Sequence, residues 1–138
     1  MGDREETRAA EELIRRVYTA FAERDLERLR ELAVPDVEIS TVTGLVAGRE
    51  EPYRGLDGIE AYLDDVRSMW DEIELIPQRF NQLDRGRVLV FGRVRARRGS
   101  SLIDAPNAWL WMLREGRVAS AQVFSDPQDA ARLQHEEG

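Results

Sequence analysis

From Glu5 to Glu23 apolar residues recur every three or four positions, at Leu13, Ile14, Val17, Tyr18 and Phe21, and this period predicts an amphipathic helix. Asp25 is placed to cap a second, short helix, LERLRELA. That helix has to end near Pro35, because the residue before a proline avoids helical geometry. Alternation then takes over. Val37, Ile39 and Thr41 alternate with Glu38 and Ser40, the pattern of a half-buried strand. The stretch from Val42 to Gly55 holds Gly44, Gly48, Pro52 and Gly55 and reads as a loop. Gly55 precedes a third helix with a single apolar stripe, made of Ile59, Tyr62, Leu63, Val66, Met69 and Trp70.

From Ile73 onward the period is two. A strand over Ile73 to Leu83 leads into the turn Asp84-Arg85-Gly86, and Arg87 to Arg97 form the return strand. Turns at Gly99-Ser100 and Glu115-Gly116 separate two more strands, Leu102 to Arg114 and Val118 to Ser125. Asp126 then caps a last short helix, with Pro127 at its first position and Asp129 in its first turn. Helices in front of an antiparallel meander define an α+β class. The striped third helix has to cover one sheet face, and sheets twist. The expected architecture is therefore a cone-shaped, curved antiparallel sheet with helices on its concave face, a cystatin-like α+β barrel. One domain over residues 1–138 is expected, with its core from about residue 8 to 133, and the N-terminus has no signal-peptide core.

Composition narrows the chemistry. The chain has no cysteine and no lysine, its 20 basic residues are all arginine, and its one histidine, His135, lies near the C-terminus, read as tail. Thiol nucleophiles, Schiff-base lysines and zinc clusters of Cys and His are excluded. No metal or cofactor is expected. A net charge of −7 argues against nucleic acid, the apolar runs are too short to span a membrane, and the lack of disulfides points to the cytoplasm. Arg85, Arg87, Arg93, Arg95, Arg97 and Arg98 crowd one region. They read as a solvated strand face paired with carboxylates rather than as a phosphate strip.

The order of elements, with the segments AERDLERLRELAVPDVEIS, YRGLDGIEAYLDDVRSMW and LREGRVASAQVFSD, resembles the SnoaL-like branch of the nuclear transport factor 2-like superfamily, from about Arg8 to Leu133. That superfamily includes ketosteroid isomerases, polyketide cyclases, limonene epoxide hydrolases and many binding domains, so fold alone does not set function. The resemblance places Thr41 where the isomerases carry their general-base Asp, and Trp109 where they carry a second Asp. Val17 falls at their first-helix Tyr, with Tyr18 next to it, and Val123 falls at the last-strand Asp of the cyclases. Arg93 and Arg95 stand where the hydrolases pair an Arg with an Asp. None of these mechanisms transfers intact.

The residues themselves outline a pocket. Gly92, Val94, Ala96, Ala119, Ala121 and Val123 leave room, while Trp70, Trp109 and Trp111 supply aromatic walls. The polar candidates are Tyr18, Thr41, Asn107 and Ser125. Asn107 is either a donor to a ligand carbonyl or an amide bonded within the protein. Asp104 points outward by simple alternation, unless a bulge at Pro106 turns it into the cavity, where it becomes a candidate base. Glu50, Glu51 and Asp57 belong to the solvated mouth. Two readings follow. One is a small-molecule-binding domain contacting an apolar ligand through Tyr18, Thr41, Trp70, Asn107, Trp109 and Val123. The other is an isomerase, cyclase or epoxide hydrolase-like enzyme using Asp104 or Tyr18. Leu89, Phe91, Leu110, Met112 and Phe124 gather on the opposite sheet face, where they are expected to form a homodimer interface unless the last helix covers them.

Overall fold

Apolar spacing and caps account for most of the helices in the computed structural model, which describes residues 2–84 and 86–137 and their side chains except those of residues 2–4, 6 and 135–137. Arg85 of the first hairpin turn and the His135 side chain lie outside this description. Helix α1 (Gly2–Ala22) buries Leu13, Ile14, Tyr18 and Phe21 along one stripe. It ends where Arg24 adopts φ 56° and turns its guanidinium back to donate to the Phe21 carbonyl oxygen. The same side chain reaches the carbonyl oxygen of Ile73 at 3.3 Å. Helix α2 (Leu26–Leu32) is capped by Asp25, whose carboxylate accepts from Arg28 N at 3.1 Å.

Strand β1 (Ala33–Ser40) begins at once, and the expected loop after it holds two further elements. Helix α3 (Val42–Val46) is one of them, strand β2 (Tyr53–Arg54) the other. The sequence VTGLV is a poor helix former because of its β-branched residues and glycine. What makes it helical is its cap. Thr41 leaves the strand and its Oγ1 accepts from Gly44 N at 2.8 Å, while Thr43 and Gly44 are buried. Helix α4 (Gly55–Met69) carries the predicted stripe and ends at Trp70, whose indole nitrogen donates to Thr43 Oγ1 at 3.0 Å.

Strands β3 (Glu72–Asp84), β4 (Arg87–Arg98), β5 (Ser101–Arg114) and β6 (Arg117–Phe124) form the expected meander, followed by helix α5 (Pro127–Glu137). The sheet corrects the expected architecture. Its order is β2-β1-β6-β5-β4-β3, an open row with β2 and β3 at the two edges, and β1 runs parallel to β6. It is a mixed sheet, not an antiparallel one, and it does not curl into a cone or close into a cystatin-like barrel. The physical reason lies at the edges. Closure needs the first and last strands to hydrogen-bond, whereas β3 pairs with β4 only and β2 is two residues long. Periodicity within a strand carries no information about such pairings.

Facing residues of the meander share a side of the sheet. Val88 faces Trp111, Val90 faces Trp109, and these two indoles face Ala121 and Val123 of β6. This side packs into one core with α1, α2 and α4. On the other side, Ala130 and Leu133 of α5 pack with Leu89, Phe91, Ala108, Leu110 and Phe124. The face expected to take a second copy is thus partly occupied by the chain's own last helix. Leu89 is fully buried there, and Met112 stands 43% exposed.

One backbone contact pins the long hairpin. β3 shifts register between Pro77 and Arg79, and the Ile76 carbonyl oxygen passes so close to Gly92 that a Cβ there would sit 2.0 Å from it. Only glycine leaves that space. We expect Gly92→Ala to lower stability by about 3 kcal/mol, the upper end of ordinary overpacking, because backbone rather than a flexible side chain must move. Urea unfolding measures this. An unchanged midpoint would show that β3 is free to swing away from β4.

Candidate functional site

The inner face of the sheet meets the helices around an apolar cavity of about 70 Å³. Val17, Tyr18 and Phe21 of α1 form one wall, with Ile59 and Tyr62 of α4 beside them. Leu29, Leu32 and Ala33 close one end, while Val37, Ile39 and Thr41 bring β1 to it. Trp109, Trp111, Val118, Ala121 and Leu75 complete the sheet side. The void exists because Ala121 stands opposite Trp111 in the β5–β6 register, so a small side chain adjoins two large rings. Those rings lie 5.9 Å apart between centroids, and Tyr18 leans on Trp111 at 5.6 Å. Such tilted and offset contacts hold aromatic groups in a set orientation.

No charged residue lines this cavity. Its ionisable wall groups are phenols. Burial pushes the Tyr18 phenol well above the ordinary tyrosine value, and the nearby Trp111 indole N–H offsets a smaller part of that shift. That indole N–H falls short of hydrogen-bond geometry with any acceptor. Burial likewise raises Tyr62. Tyr53, behind it, is pushed up to about 12, first by burial and then by donating to Asp65 Oδ2 at 2.7 Å.

Of the residues expected to contact a ligand, the structure brings Tyr18, Thr41 and Trp109 to the cavity and leaves three outside its lining. Trp70 is committed to Thr43, Val123 is packed in the core, and Asn107 is buried beside Gly92 with its Nδ2 unpaired. Thr41 has a second task as the α3 cap. Asp104 lies on the outer face, exposed, where Arg93 Nε donates to its Oδ1 at 2.9 Å and Arg95 stands 3.6 Å from its Oδ2. Pro106 makes no bulge against β4, because the β4–β5 register runs unbroken from Arg87 to Arg98, and alternation therefore survives past the proline. Arg97 meets Asp71 at 3.3 Å, so the arginine-rich strand is faced by carboxylates. Ser125 follows β6 and is exposed. Among the described residues, no group of three or more His, Asp or Glu side chains is arranged to hold a metal ion. Among the described residues no helix is long and apolar enough to cross a membrane.

Sequence reasoning missed the contribution of α2. Leu29 and Leu32 show in the sequence only as part of a short helix, and nothing in their spacing says that they line a cavity. Tyr62 and Phe21 were read as core stripe, and they are both core and wall.

The SnoaL-like domain family matches this chain over residues 14–121. Uncharacterised proteins of Mycobacterium tuberculosis and Mycobacterium bovis are 31% identical to it over 121 residues, covering 84% of this chain and 88% of each relative. Among solved structures, TerC co-crystallised with polyporic acid superposes with a TM-score of 0.75 at 24% identity, over 92% of this chain and 98% of that one. A nuclear transport factor 2-like protein of unknown function from Burkholderia pseudomallei gives 0.75 at 23% identity, over 91% and 96%. A putative polyketide cyclase from Xanthomonas campestris pv. campestris gives 0.72 at 15%, over 91% and 96%. At these identities the structures speak for the fold.

The three tyrosines are all buried and all hold their protons more tightly than in the unfolded chain, where phenols titrate near about 10. A raised folded-state value contributes stability below the unfolded value, and that contribution is lost as pH rises above it. Stability should therefore fall from about pH 10 upward. Phenolate absorbance at alkaline pH should develop together with the loss of circular dichroism. Titration of all three phenols while the fold is intact would contradict this account.

Proposed function

This chain belongs to the SnoaL-like domain family of the nuclear transport factor 2-like superfamily, and from that premise we propose that it is a small-molecule-binding domain that takes an apolar, uncharged ligand between α1, α4 and the sheet. The observation that carries this reading is the apolar cavity, walled by Trp109, Trp111, Tyr18 and aliphatic side chains and lined by no charged residue among those described. An apolar void inside a soluble protein stays dry and gains free energy when an apolar molecule fills it. An anion entering it would lose its hydration without gaining a counter-charge. The volume of about 70 Å³ restricts an unadjusted cavity to a ligand of few heavy atoms. TerC, of the same fold, was crystallised with polyporic acid, which lends support to an organic ligand here.

The enzyme reading has less behind it. Asp104, the carboxylate considered as a base, is on the outer face and already paired with Arg93. The remaining candidate, Tyr18, is on the cavity wall with its proton held tightly.

Titrating the protein with benzene while following tryptophan fluorescence tests the binding reading, since two of the three tryptophans line the cavity. We expect a saturable change that Ala121→Leu, which fills the void, weakens at least ~10-fold, equivalent to about 1.4 kcal/mol. Benzoate at neutral pH should leave the signal unchanged. Undiminished benzene binding in Ala121→Leu, with the fold intact by circular dichroism, would place the ligand elsewhere.

A further inference from the structure

The aromatic residues that line the cavity fall into two groups. Trp109 and Trp111 of β5 stack with their centroids 5.9 Å apart and their planes 28° from parallel, and Tyr18 of α1 leans on Trp111 at 5.6 Å. Phe21 of α1 stacks on Tyr62 of α4 at 5.5 Å and 16°. Tyr18 and Phe21 are neighbours on one helix face, yet their rings turn to different partners. Among the described residues no ring contact joins the two groups. Within each group the spacing is that of an ordinary aromatic pair. What borders both is the cavity, which no charged side chain among the described residues lines.

An aromatic ring carries negative charge over its face and positive charge at its edge. One placed in the cavity therefore finds a complement whether a wall ring presents its face or its edge. A saturated ring of the same size has no such charge distribution and gains only contact area. We infer that the cavity is a bridging site for one neutral aromatic ring, which touches both groups and joins them into a single cluster. This rests on the binding reading above and narrows its ligand class to small benzenoid molecules in preference to saturated ones. The cavity volume of about 70 Å³ holds the ligand to one ring. The contacts are spread over α1, α4 and β5, so the ligand ties the helical layer to the sheet.

Benzene and cyclohexene share a six-carbon ring and differ in aromaticity. Their hydration differs too, so the informative quantity is the ratio of their affinities in the full chain against the same ratio in a variant, where hydration cancels. Phe21→Leu keeps an apolar side chain and removes one ring. It should lower the benzene-to-cyclohexene affinity ratio about five-fold, the size of one aromatic pair. Ile59→Val, which trims an aliphatic part of the wall, should shift both affinities together and leave their ratio as it was. In the unaltered protein, nuclear Overhauser contacts from bound benzene should reach ring protons of both groups, Phe21 or Tyr62 in one and Trp109 or Trp111 in the other. These contacts decide the matter even if Phe21→Leu does not fold. Benzene contacts confined to one group, or a ratio that Phe21→Leu leaves unchanged, would overturn the bridging site and leave the binding reading standing. Failure of both probes to bind would overturn both.

Discussion

Everything in this fold depends on covering one side of a sheet whose inner strands carry valines and tryptophans. Val88, Val90, Val94, Trp109 and Trp111 cannot be left in water, and α1, α2 and α4 remove them from it. Burying side chains of this kind contributes about 1.5–3 kcal/mol each before entropy is subtracted. The helices are therefore held by the sheet more than by their own propensity. The Arg24 guanidinium illustrates how the layers are tied, since it closes the end of α1 and reaches the β3 backbone with the same side chain.

The cavity is a consequence of that covering layer. Helices set across a sheet cannot follow its surface everywhere, and where Ala121 and Ala33 adjoin the two indoles the gap is not filled. Packing in protein interiors is dense enough that such a gap is a costly feature unless something occupies it. The opposite face shows what the chain does when no gap is wanted. There Ala130 of α5, fully buried, packs with Leu133 and with outer residues of β4, β5 and β6.

Much of the fold was legible in the chain. The stripes of α1 and α4, the caps Asp25 and Asp126, and the two-residue period of the meander each arise from local chemistry that a sequence displays. The short α3 was not legible, because its stability comes from the Thr41 cap and from tertiary burial and not from VTGLV itself. The parallel β1–β6 pairing and the open edges were invisible for a related reason, since they are set by contacts between residues far apart in the chain. For the site, strand parity puts Trp109 and Trp111 on the covered side, and the helical period puts Tyr18 on the buried stripe of α1. Neither could separate wall from core, so Trp70 and Val123 were grouped with residues that line the void. Alternation alone leaves Asp104 undecided because a proline can interrupt it, and the unbroken β4–β5 register resolves it outward.

The charge distribution around the cavity bears on what chemistry its wall can do. A general base works best with a proton affinity near the operating pH. The ionisable groups on this wall are Tyr18 and Tyr62, and burial moves both away from neutrality rather than toward it. They stand as neutral hydroxyls at physiological pH, able to donate a hydrogen bond and poor at accepting a proton. No carboxylate among the described residues lines the cavity, and Asp104 is held on the outer face by two arginines. The wall thus offers shape, aromatic surface and a small number of oriented donors. These are the means by which a site selects a ligand and holds its orientation, and any proton taken from that ligand would have to be accepted by a group that the wall itself does not contain.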